Sequence, residues 1–176
     1  AITKAQHATV EKSNGEQYEI ETNPLTNYNI MVLDQAMKYN SSVSLINTNV
    51  WRSGSDPDAN VTALMWDLYD KNVDWNFWGQ FNHSRTLGGG NANPGHFYRV
   101  NGGKFKGRFN FEVHQYFADN KYNQRDMGYF ANNNYIETGS YMGYKWVKPK
   151  SFYNNLFLNL NIAYSQMHKP RNFQYF

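Results

Sequence analysis

The sequence predicts an all-β fold, and within that class an antiparallel transmembrane β-barrel or part of one. Three observations lead there: large apolar side chains recur at every second position, the runs that carry this repeat are long, and turn residues separate the runs at regular intervals. From Val73 the residues Val73, Trp75, Phe77, Gly79 and Phe81 alternate with Asp74, Asn76, Trp78, Gln80 and Asn82. From Lys104 the repeat returns as Phe105, Gly107, Phe109, Phe111, Val113 and Phe117 against Lys106, Arg108, Asn110, Glu112 and His114. Near the end Leu156, Leu158, Leu160, Ile162 and Tyr164 oppose Asn155, Asn159, Asn161 and Ser165. A period of two is the pleat of a strand, so each run has one oily and one wet face. Soluble strands average roughly 5–6 residues, whereas about 9–11 tilted residues cross a bilayer, and these runs reach the second length.

Turn chemistry then places the elements in order. Ser13-Asn14-Gly15-Glu16 joins strands Gln6–Lys12 and Gln17–Thr22, because Asn-Gly takes the positive φ angles of a tight hairpin. Asn23-Pro24 breaks the ladder, since proline has no N–H to donate. A strand from about Asn27 to Met37 turns at Lys38-Tyr39-Asn40 into Ser41–Arg52, and the loop Ser53–Asp58 leads into Asn60–Tyr69. Asp70-Lys71-Asn72 opens Val73–Leu87, followed by an irregular stretch from Gly88 to Gly95. A short strand His96–Val100 is expected to turn at Asn101-Gly102-Gly103 into Lys104–Phe117. The polar connection Ala118–Met127 precedes a last hairpin, Asn134–Val147 and Phe152–Gln166, around Lys148-Pro149-Lys150. That makes about nine strand segments in one barrel domain spanning residues 1–176. The strands between Asn27 and Tyr69 carry apolar residues on both faces, as in Leu64, Met65, Trp66 and Leu68, so an inward-folded loop, a plug or a separate domain is expected over their inner face.

Composition narrows the function. Of 176 residues 40% are hydrophobic and 25 are Asn, which excludes helical spans of about 18 apolar residues but not a barrel, where half of each strand suffices. Aromatic content is 18%, with 14 Tyr and 5 Trp, side chains suited to the membrane boundary. The formal net charge of +3 comes from scattered bases without a patch, so nucleic acid is not an expected partner. There is no Cys and hence no disulfide framework. Ala1–Val10 lacks the apolar core of a signal peptide, so a mature or incomplete chain is expected.

The wording of two runs adds a resemblance. Asn23–Tyr69 (NPLTNYNIMVLDQAMKYNSSVSLINTNVWRSGSDPDANVTALMWDLY) and Asn123–Tyr164 (NQRDMGYFANNNYIETGSYMGYKWVKPKSFYNNLFLNLNIAY) resemble a family of large outer-membrane β-barrels of unknown function from Bacteroidota. Members usually carry an amino-terminal domain similar to a family-nine carbohydrate-binding module. The resemblance implies that these residues are part of the barrel, located in the bacterial outer membrane, with lipid and lipopolysaccharide, other outer-membrane proteins or glycans as partners. An open sheet edge in hydrocarbon costs several kcal/mol per unpaired polar group, so further strands are expected to pair with these.

The search for chemistry yields little. Asp56, Asp58 and Asn60 alternate as hard-cation ligands would, but lack the remaining EF-hand positions, and an Asx turn around Pro57 is the favoured reading. His83 with Arg85 and His96 with Arg99 flank the glycine stretch, while His7 and His114 are remote, so no metal site is expected. Asp67, Asp70 and Asp74 fit no fixed acid–base pair, and Gly88-Gly89-Gly90 lacks the Lys of a phosphate loop. No catalytic residue and no cofactor is expected. The expected sites are faces: Trp75, Phe77, Phe81, Phe105, Phe109, Phe111, Leu156, Leu158, Leu160 and Ile162 toward lipid, and a lumen cluster of Lys106, Arg108, Glu112 and His114. The expected role is a pore, an anchor for a glycan-binding domain or a subunit of an outer-membrane assembly, without enzymatic chemistry. A soluble secreted β-sandwich that binds polysaccharide through exposed aromatics is the alternative.

Overall fold

The computed structural model describes residues 1–88, 94–128 and 130–175. Its strands are β1 (Ile2–Thr3), β2 (Gln6–Glu11), β3 (Gln17–Asn23), β4 (Thr26–Ala36), β5 (Ser42–Arg52) and β6 (Asp58–Tyr69), then β7 (Trp75–Leu87), β8 (Gly95–Lys104), β9 (Phe109–Ala118), β10 (Tyr135–Trp146), β11 (Leu156–Met167) and β12 (Phe173–Tyr175). The fold is all-β and antiparallel. One ten-stranded sheet runs in the order β1-β4-β5-β6-β7-β8-β9-β10-β11-β12, and β2 and β3 form a separate hairpin. From β4 to β11 every strand pairs with its neighbour in sequence, because every connection is a hairpin.

The sheet does not close among the described residues. β1 pairs only with Thr26 and Asn27, and β12 only with Ser165 and Gln166. The rest of β4 and of β11 presents an open edge.

The turns follow local chemistry. Gly15 takes φ +82° between β2 and β3, as the Asn-Gly step requires. Asp70 organises the turn into β7, accepting the backbone N–H groups of Asp74 at 2.7 Å, Trp75 at 2.8 Å and Asn72 at 3.1 Å. These amides hold the Asp70 carboxyl below its ordinary pKa, with the Trp75 bond the largest cause. Gly107, at φ +92°, turns β8 into β9.

That last turn corrects one expectation. Asn101, Gly102 and Gly103 do not form it; they lie inside β8, which runs to Lys104. The two glycines serve packing: a Cβ on Gly103 would sit 2.1 Å from the Phe111 carbonyl oxygen across the ladder. The expected strand from Lys104 to Phe117 accordingly begins at Phe109. Strands β1 and β12 are too short to show a repeat. Of the irregular stretch expected between Gly88 and Gly95, residues 89–93 lie outside the described residues.

The interior is small. Among the described residues the buried apolar ones are Val50, Ala59, Val61, Ala118 and Tyr122. The chain exposes 12010 Å², against about 8900 Å² for a compact monomer of 20.6 kDa. This excess is what a single sheet produces when most of its two broad faces is left uncovered.

Candidate functional site

Directly paired residues on neighbouring strands share a face, so the ladder assigns every side chain. One face carries Leu33, Leu45, Leu64, Phe81, Tyr98, Phe117 and Ile136 in a row, ending at Gln166 on β11. Trp75, Phe77, Phe109, Phe111, Leu156, Leu158, Leu160 and Ile162 stand on this same face. Phe105 is the exception among the residues expected there, since it lies in the turn after β8. The face is uncovered: Leu158 is 65% exposed and Leu160 52%. No second sheet packs on it among the described residues.

The apolar band on this face runs obliquely to the strands. On β4 it comprises Met31 and Leu33, midway at position 32, whose row reaches β11 at Met167, whereas the β11 apolar run Leu156–Ile162 is centred on position 159, eight residues away (167 − 159). Eight residues are about 26 Å along the strand, against about 34 Å across seven strand steps, a slant near 40°. The turn-side margin moves ten residues, from the Leu33 row to Leu156 (166 − 156), which gives a slant of about 45°. Trp75 packs edge-on against Phe111 at 5.6 Å, and Tyr144 sits 4.4 Å from Trp146, both on the turn side of the band. On the loop side the same face turns polar, with Asn47, Asn49, Asn60 and Thr62 in one hydrogen-bonded ladder.

The opposite face carries the polar site. One row reads Asp34, Ser44, Met65, Gln80, Arg99, Tyr116, Glu137, Ser165 and Tyr175, one side chain per strand. Arg99 lies over the Trp78 ring at 5.1 Å and makes no hydrogen bond or ion pair among the described residues, with its Nε buried and unpartnered. Tyr116 donates from Oη to Asn101 at 3.1 Å, and Tyr175 donates to the Glu137 carboxylate.

Residues 119–128 and 130–134 fold over this face as a strap. Asp119 anchors it, accepting from the backbone N–H groups of His96 at 2.8 Å and Tyr122 at 2.7 Å. Tyr122 is buried, accepts from Asn82 Nδ2 at 2.8 Å and stacks on Phe97 at 5.4 Å. Burial pushes its phenol above the ordinary pKa. Arg52 pairs with Asp126, and the Asn123 N–H donates to Ser84 Oγ at 3.1 Å. Gly95 makes the approach possible, since a Cβ there would sit 2.3 Å from the Tyr122 Cα. An inward-folded loop was one of the covers expected for this face, but Ile30 and Val32 on β4 remain exposed beyond its reach. Between strap and row lies an open cleft of about 840 Å³, lined by Gln80, Arg99, Tyr116, Tyr135 and Glu137.

Of the expected lumen cluster, Glu112 and His114 share this face on β9. His114 sits between two carboxylates, 3.7 Å from Glu112 and 3.8 Å from Glu137, and Gly139 makes room for its ring. Lys106 and Arg108 do not join them. Both fall in the turn Phe105–Arg108, where Lys106 lies 3.7 Å from Asp74 at the turn end of the sheet. The three aspartates considered for acid–base work are also apart: Asp67 accepts from Asn76 at 2.6 Å, Asp70 holds its turn and Asp74 faces Lys106. Asp58 accepts the Arg52 N–H at 2.7 Å, and no group of three or more potential metal ligands occurs among the described residues. The sequence does not single out Glu137 of the row or Tyr122 of the strap, and it offers Arg99 only as a neighbour of the glycine stretch. The available signal was an aromatic residue inside an otherwise polar connection.

A family model described as a domain of unknown function, DUF5916, matches residues 1–176. The chain belongs to this family. No curated protein and no solved structure matches it. The DUF5916 match takes in the apolar band, the strap and the polar row together, so both faces belong to the family's own domain.

Proposed function

We propose that this chain is part of the wall of a transmembrane antiparallel β-barrel in a bacterial outer membrane, acting as a pore without enzymatic chemistry. The observation that carries the reading is the uncovered apolar band and its slant of about 40–45° across the sheet, since barrel strands tilt by about 35–45° and their lipid band is level with the membrane. Lipid and lipopolysaccharide are then what the band meets, with the asparagine ladder at headgroup level. The polar row lines the lumen, and the strap narrows it. The long connection between β9 and β10 and the β2–β3 hairpin leave from the same end, which faces the outside, while the tight turns Asp70–Asp74 and Phe105–Arg108 face the periplasm. The open edges of β4 and β11 receive further strands, because unpaired edges are untenable in hydrocarbon. The resemblance to Bacteroidota barrels that carry a carbohydrate-binding-like domain supports an envelope role, including anchorage of such a domain.

The test is detergent dependence with heat-modifiable gel mobility. The expected result is a protein that needs detergent and migrates differently before and after boiling. A monodisperse protein without detergent would overturn the membrane reading in favour of the soluble polysaccharide-binding sandwich.

A further inference from the structure

We infer that the cleft under the strap binds a neutral oligosaccharide. The side chains that line it are those a polyhydroxylated ligand uses. Arg99 offers a planar set of donors with no protein partner among the described residues, and Glu137 offers a carboxylate two strand spacings away, about 9–10 Å along the same row. Tyr116 stands between them, and Gln80 extends the row, so donors and acceptors alternate across its floor. Tyr135 and Tyr175 add rings whose faces match the C–H face of a pyranose, and the strap contributes the amide oxygen of Asn133, whose NH2 group is held by the Asn120 and Tyr122 carbonyls.

Charge chooses among ligands. The guanidinium and the carboxylate lie on the two sides of Tyr116, so an anion drawn to Arg99 is repelled by Glu137 and a cation meets the converse. A neutral ligand with paired hydroxyls satisfies both at once. The volume of about 840 Å³ lies within the usual range of roughly 300–1,000 Å³ for small-molecule sites.

The inference rests on the polar face being open to water, as the barrel reading has it, and its test is independent of detergent dependence. The full chain, in an amine-oxide detergent that contains no sugar or in buffer if it proves soluble, is titrated by calorimetry with maltohexaose, cellohexaose, xylohexaose and, separately, trigalacturonate. At least one neutral hexamer is expected to bind saturably, with Kd weakened tenfold or more in Arg99→Gln, Glu137→Gln and Tyr116→Ala. Lys145→Gln, on the same face but outside the cleft, is expected to leave Kd unchanged, and unaltered thermal unfolding reports that each variant is folded. Failure of all three neutral hexamers overturns the inference. So does binding that survives the three substitutions, or binding of trigalacturonate alone that strengthens in Glu137→Gln.

Discussion

At position 160 a leucine side chain stands half exposed on the apolar face, and its neighbour Asn161 points to the other side of the sheet. If the band meets lipid, depth decides what a charge costs there. Leu160→Arg and Val113→Arg, near the middle of the band on their strands, should destabilise the folded protein in vesicles by about 2–4 kcal/mol. Phe109→Arg, near the turn-side margin, should cost about 0–1 kcal/mol, and Asn161→Arg should be tolerated. Denaturant unfolding in lipid vesicles measures the series, and equal costs on both faces would contradict the assignment. Asp70 gives a second prediction, this one from acid. Its folded pKa lies below the ordinary 3.8, so its contribution to the turn is complete above that value and is lost as pH falls further, through the folded pKa. Amide exchange at Trp75 should therefore accelerate, relative to amides elsewhere in the sheet, only below about pH 4. The Asp70→Asn variant should lack this step. A wild-type Trp75 amide that accelerates at neutral pH would show that the carboxylate does not hold the turn.

At the scale of elements, the two adjacent glycines of β8 should behave in opposite ways. Gly103→Ala places a methyl 2.1 Å from the Phe111 carbonyl oxygen and 2.8 Å from the Glu112 Cα, both backbone atoms of β9, so the two strands must separate. Gly102→Ala places its methyl 3.5 Å from the Phe77 ring, an ordinary contact, and adds strand propensity. Folding yield and thermal midpoint should fall for the first and hold or rise for the second. The same glycines show why part of the fold could not be read from sequence. Asn-Gly-Gly carries a strong turn signal, and only the opposing β9 backbone reveals that small residues are needed inside a strand. The pleat itself was legible: alternation assigned Phe77, Phe109 and Leu158 to one face and Asn110, Glu112 and Asn159 to the other, as the ladder does. Extending that alternation through Phe105–Arg108 misplaced Lys106 and Arg108, because parity is lost wherever the chain turns. The strap was legible only as a polar connection. Its inward direction depends on Tyr122 meeting Asn82 and Phe97, residues separated from it by 40 and 25 positions (122 − 82 and 122 − 97), a coincidence that no local pattern encodes.

For the whole molecule, the apolar band links register to orientation. In a barrel the membrane is level, so the rate at which an apolar band slips along the register from strand to strand fixes the strand tilt. Here the slip is slightly more than one residue per strand, between eight and ten residues over the seven steps from β4 to β11. Polarised infrared spectroscopy of the protein in oriented bilayers should therefore find amide dichroism corresponding to strands about 40–45° from the membrane normal. A soluble sheet adsorbed on the bilayer surface would instead lie with its strands near the membrane plane. The measurement also bears on the open edges. If β4 and β11 receive further strands, the dichroism belongs to a closed barrel of uniform tilt. If they stay unpaired, about nine residues on each edge expose hydrogen-bonding groups, and the sheet should aggregate edge to edge with loss of a defined tilt. A defined tilt within the expected range, together with slow amide exchange along Asn29–Ala36 and Leu156–Tyr164, would show both edges covered. Fast exchange confined to those two segments would place the chain in a sheet that never closes.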